Sequence, residues 1–96
     1  MNPDEIIKAR IQSGEENAVR CKVLEEDTGL TGREVKSHIE ALRRSGIVIC
    51  SSNSGYFYPA RRCELQNFIV KERRRANSIR RTLRSSERMF ERWKEN

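Results

Sequence analysis

The stretch TGLTGREVKSHIEALRRSG, Thr28 to Gly46, constrains the fold of this chain most strongly. Gly29 and Gly32 bracket a corner. Glycine readily takes the left-handed conformation just past a helix end, so Gly29 terminates whatever helix precedes it. Thr31-Gly32-Arg33-Glu34 then has the S/T-x-x-E form of a capping box, in which a hydroxyl and a carboxylate satisfy the free amides of a new helix. Within that helix Val35, Ile39 and Leu42 recur at i, i+4 and i+7 and make one buried stripe. Gly46 closes it. A shorter helix at about 22–28, carrying Val23 and Leu24, lies before the corner. Short helix, glycine turn and longer helix spell a helix-turn-helix, with Leu30 anchoring the turn and the second helix standing proud of the domain.

The rest of the chain is organised around that unit. Residues 3–13 read as a first helix: Pro3 suits its first turn, Asp4 and Glu5 its positive end, and Ile6, Ile7 and Ile11 form an apolar stripe. Ser13-Gly14 stops it. Ala18-Val19 is expected to form a short strand, and Cys21 falls where a helix N-cap would be. Ile47 to Cys50 and Tyr56 to Tyr58 are β-branched and aromatic runs either side of the loop Ser51-Ser52-Asn53-Ser54-Gly55, which predicts a hairpin. From about Glu64 to Trp93 neither Pro nor Gly appears and the pattern returns to helix. The expected fold is mainly α with a small β-hairpin, an α+β arrangement: residues 1–60 form the domain and 61–96 a basic C-terminal helix.

Charge separates the same two parts. Residues 1–60 hold 8 Lys/Arg against 9 Asp/Glu, a balance of −1, and residues 61–96 hold 12 against 5, a balance of +7, giving +6 in all. A basic excess favours a polyanionic partner or simply solubility. No apolar run resembles a signal peptide or approaches the ~20 residues that cross a bilayer, so no membrane partner is expected. Cys21, Cys50 and Cys63 are odd in number and irregularly spaced, which is no disulfide framework. The expectation is a reduced, cytoplasmic protein with small buried cysteines. With His38 they lack the paired spacing of a zinc site, and His38 is expected to pack against a neighbouring helix. No nucleophile motif, carboxylate pair or phosphate loop emerges. Neither enzyme activity nor a metal or small-molecule cofactor is expected.

The segment LEEDTGLTGREVKSHIEALRRSGIVICSSNSGYFY, Leu24 to Tyr58, resembles the winged helix-turn-helix, especially small biotin-repressor-type and prophage-type domains. The glycine turn, the capped helix, ALRRSGI and the aromatic GYFY occur together and in order. The resemblance implies sequence-specific binding of double-stranded DNA, residues 31–45 being the recognition helix and 51–55 the wing tip. On that basis Thr31, Arg33 and Lys36 are placed for groove contact, Ser37 and Glu40 for base edges, and Arg43 and Arg44 for the backbone. Two departures stand out. Glu25 occupies a position where such domains often have alanine, and the tip, with Asn53 at its centre, has no Lys or Arg. Phosphate contacts beyond the hairpin are therefore assigned to Arg61 and Arg62. The implied role is a small transcriptional regulator or another DNA-acting accessory protein of a bacterium or its phage. The alternative is a protein-interaction module of a phage replication or packaging assembly.

In the basic helix Leu65, Ile69, Glu72, Ala76, Ile79, Leu83, Ser86, Phe90 and Trp93 are spaced alternately four and three apart, a heptad seam interrupted by Glu72 and Ser86. Thirty helical residues span about 45 Å, longer than the domain is wide. The expectation is a homodimer through Ile69, Ala76, Ile79, Leu83 and Phe90. The alternative is that Leu65, Phe68 and Ile69 dock on the domain while the end frays. The arginines from Arg73 to Arg84 are either a solvated face or a track along a phosphate backbone.

Overall fold

Pro3 and the side chain of Asn2 start the first helix, α1 (Pro3–Arg10), in a computed structural model that describes residues 1–93. The Asn2 carboxamide accepts from the Glu5 amide at 2.9 Å, a short polar N-cap of the usual kind. The helix stops three residues before the expected end, because the backbone beyond it is needed elsewhere. Gln12 O accepts from Tyr58 N–H and Gly14 N–H donates to Tyr58 O, both at 2.8 Å. Ile11, already extended, stays buried.

After a 3-10 turn at Glu15–Asn17, Val19 exchanges both backbone hydrogen bonds with Tyr56, at 2.8 and 2.9 Å. The short strand expected at Ala18-Val19 is thus a single bridge to the hairpin. Arg20, not Cys21, is the N-cap of α2 (Cys21–Thr28). Gly29 ends α2 in the left-handed region with φ 76°. Thr31 opens α3 (Gly32–Arg44) with both halves of the capping box formed. Glu25 lies against the side of Gly32, and a Cβ there would come within 3.4 Å of its carboxylate. The absent side chain makes room for the unexpected acid.

Ile47 N–H caps α3 by donating to Leu42 O, and Ile49 is buried, so residues 47–49 run as an extended connection into the core. The hairpin therefore begins later than its sequence suggested. β1 (Cys50–Ser52) pairs antiparallel with β2 (Gly55–Phe57), Cys50 opposite Phe57 and Ser52 opposite Gly55, leaving Asn53-Ser54 as a tight tip. The core sits between α1, α2 and α3: Ile7 and Ile11, Leu24, and the stripe Val35, Ile39 and Leu42, closed by Ile49. Beyond it α4 (Arg62–Trp93) carries the molecule out to 53 Å along its longest axis. The architecture is mainly α with one small hairpin and a long C-terminal helix. No helix among the described residues is long and apolar enough to cross a membrane.

Two glycines separate conformational strain from crowding. Gly29 faces open space, so Gly29→Ala meets only the left-handed backbone penalty, about 1–2 kcal/mol. Gly55, at φ 127°, also has the Val19 carbonyl pressed against it where a Cβ would go. Gly55→Ala is expected to cost more than about 2 kcal/mol, since the Val19–Tyr56 bridge must open. Denaturant unfolding of the two variants side by side checks the order.

Candidate nucleic-acid interface

The polar side of α3 is divided between open and occupied residues. Arg33, Lys36, Ser37 and Arg44 are exposed. Thr31 is exposed as well, but its hydroxyl accepts from Glu34 N–H at 3.2 Å and its amide donates to the Glu34 carboxylate at 3.0 Å. This holds the first turn rigid, with its remaining N–H groups and Arg33 projecting outward. Such a helix end is a natural seat for a phosphate or a base edge.

Glu40 and Arg43 lie along the other edge of α3, and there the chain folds on itself. The Arg43 side chain is only 16% exposed. Its Nε donates to Ile49 O at 2.8 Å, Nη1 to Glu40 Oε1 at 2.8 Å, and Nη2 is 3.4 Å from Ser51 Oγ. Its guanidinium also lies 4.9 Å from the ring centroid of Phe68, a cation–π contact with α4. Glu72 and Arg75 of α4 complete the cluster, at 3.8 Å from Arg43 and Glu40 respectively. The sequence alone sets both α3 residues on DNA, Glu40 at a base edge and Arg43 at the backbone. In the fold they join α3 to β1 and α4.

The same packing brings in basic groups that local sequence does not place there. The Val19–Tyr56 bridge sets Arg20 beside the hairpin, where Nη1 lies 3.4 Å from Asn53 O. Lys71 of α4 donates to Ser51 O at 3.0 Å. Lys36, Tyr56, Lys71 and Arg75 line an open cleft between α3, the hairpin and α4, in which Glu40 and Glu72 pair with Arg75. The tip itself has no basic residue, and its neighbours supply the charge. The only sequence signal for Lys71 and Arg75 is their spacing from Phe68, which puts all three on one side of a helix.

Arg61 and Arg62 are exposed at the root of α4 and form a separate group. Here Glu64 is the organising residue. Its carboxylate accepts from Glu15 N–H at 2.9 Å, from Ala60 N–H at 2.8 Å and from Arg61 N–H at 3.2 Å. The Glu15 and Ala60 bonds, in that order, hold the carboxyl below its ordinary value of 4.5.

His38 packs on α1, its Nδ1 2.7 Å from the Asp4 carboxylate. Cys50 is buried and Cys21 half-buried, whereas Cys63 is exposed on α4, against the expectation of three buried thiols. Helix α4 presents Cys63 outside the core. Burial pushes the thiols of Cys21 and Cys50 up, so neither is a ready thiolate. Among the described residues no group of three or more His, Cys, Asp or Glu side chains is arranged to hold a metal ion. No protein-family model, curated protein or solved structure matches this chain.

The root of α4 should respond to pH. Because the folded Glu64 carboxyl titrates below 4.5, it stabilises the fold at neutral pH, and the contribution is lost as pH falls through the folded value. Glu64→Gln is expected to lower the melting temperature at pH 7, with the deficit shrinking as pH falls from 7 through the lowered value of the folded carboxyl. Melting curves across that range, with equal deficits at both ends, would show that Glu64 does not anchor α4.

Proposed function

We propose that this protein binds double-stranded DNA as a winged helix-turn-helix, with α3 in the major groove and the hairpin beside it. One observation carries the reading. The capped first turn and outer face of α3, with Arg33, Ser37 and Arg44, stand clear of the long basic helix, which takes the Glu40–Arg43 edge, while exposed Lys36 lines the open cleft beside it. A helix about 10–12 Å across with polar side chains on its free face suits a groove of about 12 Å.

In this reading Arg33, Lys36 and Ser37 meet base edges, while Arg44 and the Thr31 turn meet phosphates. The wing acts through borrowed charge, from Arg20 and Lys71, rather than by inserting its own tip. Asn53 is then the one tip side chain offered to the sugar-phosphate edge. The three free thiols suit a cytoplasmic protein, and the exposed basic side chains of α3 suit a regulator or DNA-acting accessory factor, of bacterial or phage type.

Anisotropy titration of a labelled duplex at two salt concentrations provides the test. Arg33→Ala or Lys36→Ala is expected to weaken binding by about 1–3 kcal/mol where a base contact is lost. Arg44→Ala should weaken all sequences alike and reduce the dependence of log affinity on log salt by about 1. Affinity indifferent to salt and to all three substitutions would remove the proposal and favour a protein-interaction module.

A further inference from the structure

Contacts between α4 and the domain run from Glu64 to Arg75, through Phe68, Lys71 and Glu72. Past Arg75 the helix continues into solvent with a row of large apolar side chains. Ile79 is 59% exposed, Leu83 54%, Phe90 69% and Trp93 66%. With Ala76 and Ser86 they follow one another at alternating spacings of three and four, so they share one stripe of the helix. An exposed apolar stripe of this kind marks an interaction surface.

We propose that residues 76–93 pair with the same residues of a second copy as an antiparallel two-helix coil. Placed head to tail about a two-fold axis between Arg84 and Ser85, the stripe meets itself in complementary layers. Ala76 faces Trp93 of the second copy, Ile79 faces Phe90, and Leu83 faces Ser86. Every layer sets a smaller side chain against a larger one, which is how facing positions fill space without voids. The flanking positions then put Arg80 beside Glu87 of the second copy, twice by symmetry, and Thr82 beside Met89.

A parallel pair is disfavoured by the same charges. It would align the arginine-rich segments in register and set Arg75 beside Arg80 of the other chain. It would also bring both domains to one end. The antiparallel register uses the whole of the described free segment, and Trp93 of the second copy comes level with Ala76, one residue beyond the last group docked on the domain.

Covering the exposed parts of Ile79, Leu83, Met89, Phe90 and Trp93 removes on the order of 1,200 Å² from water in the pair, the lower edge of stable interfaces. An interface of that size is consistent with reversible association. The paired stripe includes none of the residues assigned to DNA.

Sedimentation of the full chain from about 1 to 100 µM tests it. The mass should rise from the 11.3 kDa of one chain towards twice that, with a blue shift in the emission of Trp93, the single tryptophan. Leu83→Glu or Phe90→Glu should hold the protein at one chain without lowering the melting temperature of the domain, whose core contains neither residue. Arg80→Glu should weaken pairing roughly tenfold, and Arg80→Glu with Glu87→Arg should restore it. A one-chain mass at the highest concentration would overturn the proposal. So would an Arg80→Glu variant that pairs as well as the native chain or better, because in a parallel pair that change relieves the clash with Arg75.

Discussion

The half-buried guanidinium of Arg43 is the contact on which the arrangement of this protein depends. A charge taken this far out of water is tolerated only when its donors are satisfied, and Arg43 meets that condition across three elements. It bonds Ile49 and Ser51 around the start of the hairpin and Glu40 on its own helix, and it lies against Phe68 of α4. Arginine suits the position because its planar fork can donate in several directions while one face stacks on a ring. Without this junction, nothing in the apolar core would set the course of α4, which has no buried residue of its own.

Two anchors thus orient the long helix, both polar. Glu64 ties its root to Glu15 and Ala60, and the Arg43 cluster with Glu72 and Arg75 ties it two to three turns later. The consequence for α3 is a division of labour along its length and around its axis. Its apolar stripe builds the core, its Glu40–Arg43 edge holds α4, and its outer face is left to solvent. The same docking places Lys71 beside the hairpin and Arg75 beside α3, so a strand loop lacking basic side chains has Lys71 and Arg20 as neighbours.

What was legible in the sequence was what is decided locally. The capping box at Thr31, the left-handed Gly29 and the stripe Val35, Ile39 and Leu42 each depend on residues a few positions apart, and each appears as read. What was not legible depends on partners distant in the chain. The end of α1 is set by Tyr58, which takes the backbone groups of Gln12 and Gly14. The hairpin begins later than the Ile47–Cys50 run suggests because Ile47 caps α3 and Ile49 enters the core. Arg43 read as a surface charge on a helix, and nothing near it in sequence announced Phe68 or Glu72. Arg20 lies 33 residues from the tip it approaches. Its position follows from the Val19–Tyr56 bridge, not from any motif.

The central claim is that the outer face of α3, not the arginine-rich arm, is the surface that meets nucleic acid. Amide chemical-shift mapping of the isotopically labelled chain on addition of a duplex tests it most directly. The account predicts that the largest changes fall on Gly32 to Ser37, on Arg44, and on Asn53-Ser54 with Arg20. Changes confined to Arg73 through Arg92, with α3 undisturbed, would contradict it.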